Sequence, residues 1–399
     1  MTSASVSTFA STYVSPLLSG PSAVHGAVAG SGPDAPVAAH YGQPVAEQRA
    51  LAEGTAVVDL SHRGVVAVSG PERLSWLHVL TSQKLDQGLA AGTSTETLFL
   101  DVQGRIEFDC HLVDDGATAW LTVEPGENEA LAEWLNKMRF AARVEIADRT
   151  GEVAVVGAHG DVPAWDGRED VVRWRDPWPA IGEGGHPYTV DPDPAHHPAA
   201  GWAWSEYLVP AAELAGWPDA LPEGLTLAGV LAAEALRIAA LRPRHGVDTD
   251  ERTIPHEVDL VRTAVHLNKG CYKGQETIAR VHNLGHPPRR LAFLQLDGSG
   301  HTVPGAGADV VVRPEGGTAE AGTARPVGTL TSAALHHEMG PIALAVLKRN
   351  TDPEAELLVR EGTAEDGWTF TAAAQETVVS PQAGKAVGRQ TGFIRRGGR

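Results

Sequence analysis

Between residues 95 and 123 the chain has few folding options. Three strand-length runs, Thr95 to Leu100, Ile106 to Val113 and Ala119 to Val123, are rich in β-branched and apolar residues. Asp101-Val102-Gln103-Gly104 and Asp114-Asp115-Gly116 separate them, and both are turn sequences too short to carry the chain across a sheet face. Three antiparallel strands follow from that spacing. Upstream, a strand at Val65 to Val68 and the turn Ser69-Gly70-Pro71 lead into a helix that repeats leucine at 74, 77 and 80. Downstream come a helix from about Glu127 to Met138 and a strand at Arg143 to Ala147. Strands alternating with two helices predict an α+β layer of the ferredoxin-like kind.

The rest of the chain divides around this unit. Residues 1–44 are rich in Ser, Ala, Gly and Pro without sustained periodicity, which predicts a mobile or loosely docked arm. A short helix is expected over Ala46 to Ala56, a strand over 151–158, another over Tyr207 to Pro210, and a long helix over Leu225 to Leu241. The stretch from Trp165 to Trp204 is dense in Pro, Gly, Trp and His; His186, His196 and His197 are loosely spaced with no converging Cys or Glu, so no metal site is predicted. Pro287 and Pro288 mark a junction. Beyond them, segments at 291–296, 309–313, 327–332, 342–347 and 368–371 read as a small antiparallel barrel, with a basic, Gly-rich, disordered tail over 379–399. The expected organisation is an arm (1–44), two subdomains (45–150 and 151–286), a barrel (287–378) and the tail.

Composition excludes several classes. With 399 residues, 42% of them hydrophobic, the chain can bury the cores of two or three domains. A net charge of -18 argues against nonspecific nucleic-acid binding and against anionic membrane surfaces. Only two cysteines, Cys110 and Cys271, are present, too few for a disulfide framework or for an iron–sulfur cluster held by this chain alone. No Lys or Arg precedes Arg49 and no apolar run approaches the roughly 20 residues of a membrane span, so a cytoplasmic protein is the expectation.

One cysteine stands out. Lys269-Gly270-Cys271-Tyr272-Lys273-Gly274-Gln275-Glu276 brackets a thiol with two glycines and two lysines, directly before residues that look like helix turns. Exposed amides, a helix dipole and nearby cations favour thiolate, which makes a reactive sulfur one reading. The other is a small buried hydrophobe in a tight turn.

The string KGCYKGQE, followed by Ala279-Arg280, resembles the signature of the YgfZ-type folate-binding proteins, relatives of the glycine cleavage T-protein that act in iron–sulfur protein maintenance. Gly246 to Asp250, Thr253 to Glu257 and Gly328 to Ala334 are similar to further parts of that family, and the resemblance covers roughly residues 45 to 375. It implies a fold of two ferredoxin-like folate-binding subdomains and a C-terminal antiparallel β-barrel. It implies tetrahydrofolate or a derivative as ligand, with iron–sulfur client or assembly proteins as partners and Cys271 as the chemical residue. For the folate, an acid at the pterin edge, an aromatic surface and cations for the tail are needed; Asp109, Arg244, Glu257, Lys269, Tyr272, Gln275 and Arg280 are the candidates. Two departures from the T-protein pattern are visible. Ala239 stands where the T-protein has a pterin-binding Glu, and Phe108-Asp109 aligns with its paired aspartates, leaving one acid. An assembly factor acting through Cys271 is therefore the leading expectation, and a folate-dependent aminomethyltransferase or other one-carbon transferase the alternative.

Overall fold

The computed structural model describes residues 13–86, 89–300 and 302–384. Its first sheet is antiparallel throughout, in the order Thr93–Leu100, Ile106–Asp114, Thr118–Val123, Gly64–Ser69, Glu145–Asp148. The period-2 alternation of a strand sends its side chains to opposite faces. Along Ile106–Asp114, Cys110 and Leu112 enter a core with Leu77 of helix Arg73–Leu80 and Leu131 and Leu135 of helix Asn128–Met138. Burying one such leucine contributes about 2 kcal/mol. Asp109, His111 and Val113 take the opposite face, toward the second sheet.

That second sheet runs Val172–Arg175, Trp204–Pro210, Val153–His159, Ala56–Asp59, Thr226–Ala228. Only its last pair is parallel. Alternation along Trp204–Pro210 puts Trp204, Glu206 and Leu208 on one face, while Tyr207 and Val209 join Trp165, Leu214 and Trp217 on the other. Val65 and Val113 of the first sheet share a core with Val58, Val155, Trp174 and Leu208 of the second, so the two sheets meet face to face. Six further strands, Arg289–Leu296, Asp309–Val312, Gly328–His336, Gly340–Lys348, Leu357–Thr363 and Gly367–Thr377, close into an antiparallel barrel. No helix of the described residues is long and apolar enough to cross a membrane.

The α+β class, the ferredoxin-like sheets and the closed barrel agree with expectation; several boundaries do not. Ala56–Asp59 lies before residue 150 but is a member of the second sheet, paired with Val153–His159 and Thr226–Ala228, so the division at 150 does not follow the sheets. The helix expected from Leu225 is Val230–Ala239, because Thr226–Ala228 is drawn into the sheet first. Leu357–Thr363 is a sixth barrel strand beyond the five expected. The expected loose arm is packed from residue 13 onward: Leu17 and Val37 are fully buried, and the Ser15 hydroxyl donates to Asp59. Val378 and Val379 are likewise buried at the expected start of the tail. Residues 1–12 and 385–399, the remainder of the expected arm and tail, lie outside the described residues.

Candidate functional site

The inward faces of the two sheets enclose a cavity of about 60 Å³. Asp109 and His111 reach it from Ile106–Asp114, Trp204 and Glu206 from Trp204–Pro210, and Arg242 and Arg244 from the loop after helix Val230–Ala239. Asp34, from the N-terminal segment, also lines it.

Ion pairs organise most of this wall. Glu206, wholly buried, accepts from Arg63 Nη1 at 2.9 Å and pairs with His111 Nδ1 at 2.8 Å. Burial works against its charge, but His111 and Arg63 outweigh burial and hold the carboxyl down to about 2. His111 stacks on Trp174 with ring centroids 3.8 Å apart and planes within 1°. Burial opposes its protonation, and the Glu206 carboxylate more than offsets that, raising it. Arg242 donates to Glu96 at 2.6 Å and to Asp176 at 3.1 Å. Trp202 stacks on Trp204 with centroids 5.5 Å apart, and its indole N–H also donates to Asp176.

Three atoms of cavity-lining residues stay outside the network. Asp109 Oδ1, Arg242 Nη1 and Arg63 Nε are buried and have no hydrogen-bond partner among the described residues; the first is an acceptor and the other two are donors. Buried polar atoms are seldom left so, and an acceptor and donors unpartnered on one cavity mark a place for a ligand. Burial, with the Glu96 charge beside it and Arg242 only partly opposing, pushes the Asp109 carboxyl up to about 7. At that value it can both give and take a proton near neutral pH.

Of the residues expected from sequence, only Asp109 and Arg244 line this cavity. Arg244 is saturated: its guanidinium meets both oxygens of Asp34 at 2.8 and 2.9 Å and Glu124 at 2.8 Å. Glu257 points elsewhere, accepting from Arg289 Nε at 2.9 Å and Nη2 at 2.8 Å, which ties its loop to the first barrel strand. Lys269 Nζ donates to the carbonyls of His78, Thr81 and Gln83, at 2.6 Å for Thr81 and 2.8 Å for Gln83. It thereby closes the C-terminal end of helix Arg73–Leu80, satisfying carbonyls that a helix end leaves open. Burial lowers its ammonium to about 8. Tyr272 is buried beneath it, the ammonium 5.1 Å from the ring centroid. Tyr272 and Gln275 line a separate cavity of about 320 Å³ with His186 and His282. Arg280 and Cys271 are exposed. Gly274, at φ 84°, lies so close to the hairpin that an added Cβ would sit 2.6 Å from the Asp101 carbonyl oxygen; Lys273 pairs with Glu107 at 2.8 Å. The cysteine turn is thus anchored on the 101–107 hairpin, and the cavity is built largely from other residues.

His111, Glu206, Arg242, Trp204 and Asp34 were not among the expected site residues. A signal existed for Glu206 and His111: a charged or polar side chain inside a run whose neighbours are all strand-core residues. Nothing local marked Asp34.

Comparison with known proteins agrees with this architecture. Residues 24–161 match the GCVT N-terminal domain family. A chloroplastic protein of Arabidopsis thaliana named as a transferase is 31% identical over 259 residues, 62% of this chain and 57% of that protein. The chain thus spans little more than half the length of that relative. An aminomethyltransferase of Symbiobacterium thermophilum is 28% identical over 69% of this chain and 76% of its own. The crystal structure of glycine cleavage system aminomethyltransferase T from Bartonella henselae superposes with a TM-score of 0.65 at 18% identity, covering 90% of this chain and 95% of that one. Residues 24–161 are thus similar to a GCVT N-terminal domain, and the fold is shared with aminomethyltransferase T.

Proposed function

We propose that this chain binds a reduced folate between its two sheets and uses Asp109 to handle a proton in one-carbon transfer between that folate and an amine. The observation that carries this reading is that Asp109 Oδ1 and Arg242 Nη1, on residues lining one cavity, are both unpartnered. A pterin edge presents N–H donors next to a carbonyl acceptor, and this acceptor and donor suit it. The Trp202–Trp204 and His111–Trp174 stacks supply flat walls. The inner cavity alone has room for only a few water-sized atoms. A folate would therefore extend past His245, which also borders an outer cleft of about 850 Å³ lined in part by Phe108 and Trp134.

A bound reduced folate supplies the one-carbon carrier. Asp109 then takes or returns the proton at the reacting nitrogen, and the indole walls exclude water from it. A single acid where the T-protein has two weighs against a transferase by pattern alone, yet that acid presents an unpartnered oxygen in the cavity, which favours the transferase reading. The aminomethyltransferase relatives lend further support. Calorimetric titration of the wild type and Asp109→Asn with tetrahydrofolate, followed by assay of methylene-tetrahydrofolate formation from amine donors, tests it. Binding in both, with turnover reduced at least 100-fold in the variant, is the expected result. Absence of binding in both sinks the reading.

A second reading rests on the exposed Cys271 at a firmly anchored turn in the KGCYKGQE motif. It is a YgfZ-type role in maintaining iron–sulfur proteins through that thiol. Iron–sulfur enzyme activities in cells carrying Cys271→Ser test it; unchanged activities would remove it.

A further inference from the structure

Every arginine on the inner cavity already holds at least one carboxylate. Arg63 holds Glu206 at 2.9 Å and Glu124 at 3.3 Å. Arg237 holds Glu234 at 2.7 Å and Asp248 at 2.6 Å, and Arg242 holds Glu96 and Asp176. Arg244 is the most heavily engaged, with Asp34, Glu124 and, at 3.3 Å, Glu234. With the open Arg242 Nη1 given to the pterin edge, an incoming tail carboxylate must displace a resident one from a buried pair or find a cation elsewhere.

Asp34 comes from outside both sheets. Its carboxylate meets His62 Nε2 at 2.8 Å as well as Arg244. The segment carrying it is fixed by Leu17 and Val37 in the core, and by close approach to helix Val230–Ala239, where a Cβ on Gly229 would lie 2.1 Å from the Ala39 carbonyl oxygen. Burial opposes the charge on Asp34, and Arg244 overrides burial to hold the carboxyl well below its usual range.

The outer cleft offers the alternative. Five carboxylates line it, and each has a partner. Asp101 accepts from the backbone N–H groups of Gln103 and Arg105, Glu107 pairs with Lys273, and Glu133 with Lys137. Asp250 is held by Arg289, and Glu251 lies 3.6 Å from Arg252. Arg105, half-buried in the same wall, has no side-chain hydrogen bond or ion pair among the described residues. A guanidinium fork at a cleft wall suits a carboxylate.

We propose that Asp34 is a resident carboxylate that closes the Arg244 seat, so that the carboxylate tail of a ligand bound in the cavity is turned outward past His245 to Arg105. The inference rests on the folate reading above and names the subsite for the benzoyl-glutamate tail. Asp34 and Arg105 are then specificity-determining residues, one by refusal and one by attraction.

Calorimetry with tetrahydrofolate and with a tetrahydropterin lacking the benzoyl-glutamate tail tests this on the full chain. Wild type should bind the tailed ligand about tenfold more tightly. Arg105→Gln should bring that ratio to near one without changing affinity for the tail-less ligand. Asp34→Asn, which removes one of the three carboxylate charges on Arg244, should increase affinity for the tailed ligand; if it does not fold, Arg105→Gln carries the test. A ratio unmoved by Arg105→Gln, with both ligands still binding, overturns the proposal alone. Tailed affinity unmoved in a folded Asp34→Asn overturns the part assigned to Asp34. Failure of both ligands to bind wild type overturns the folate reading and this proposal with it.

Discussion

Asp109 and Arg242 border the same cavity, and Asp109 Oδ1 and Arg242 Nη1 each lack a hydrogen-bond partner among the described residues, although most of the charged groups around them are held in ion pairs. An acceptor and a donor stay presented together in a buried space.

Replacing Asp109 with Asn should change how stability depends on pH. The carboxyl titrates at about 7 in the folded protein, above the roughly 3.9 of an unfolded chain. The folded state therefore binds the extra proton, and wild type loses stability as pH rises from about 4 to 7. Asn does not titrate, so the variant should gain about 2–4 kcal/mol on wild type between pH 4 and pH 8. Urea unfolding at both values measures this; a difference that does not vary with pH would contradict the raised carboxyl.

The two thiols should separate cleanly. Cys271 is exposed, whereas Cys110 is wholly buried and its thiol is pushed up by burial. A maleimide should label one thiol in the native protein and two after denaturation. Cys271→Ser should shift stability by no more than about 0.5 kcal/mol, since the side chain packs against little. Two labels on the native protein would contradict the placement of Cys110.

Glu257→Ala should act on stability rather than on ligand binding. Its carboxylate is almost completely buried and receives Arg289 Nε and Nη2 together with the Ile254 N–H. Removing it strands part of a guanidinium and costs about 3 kcal/mol. Folate affinity should stay within about threefold of wild type under conditions where the variant is folded. A large loss of affinity in the folded variant would return Glu257 to the site.

Gly274→Ala should be costly for a different reason. The backbone is at φ 84°, and the added Cβ would meet the Asp101 carbonyl oxygen at 2.6 Å and Gly104 Cα at 2.9 Å. Strain and clash together should cost about 2 kcal/mol or more. Hydrogen exchange in the Asp101–Gly104 turn should rise with it, because the cysteine turn is seated on that hairpin. Unchanged exchange would mean that the turn is held by Lys269 and Lys273 instead.

Local pattern alone determined most of the elements. The 95–123 meander, the flanking helices and much of the barrel follow from periodicity and turn residues, because a half-buried strand or helix must repeat its apolar residues at its own period. What the sequence alone could not determine was which strand joins which sheet and which charge meets which. Ala56–Asp59 enters a sheet formed by residues 153–228, and Asp34 meets Arg244 across 210 positions. No local spacing encodes such pairings. Lys269 shows the same division: its place in a Gly-bracketed motif was plain, but only the tertiary structure set its ammonium on the carbonyls at the end of a helix nearly 190 residues earlier. Periodicity fixes which face of an element is apolar, while a buried charge takes its role from the partner that desolvation obliges it to find.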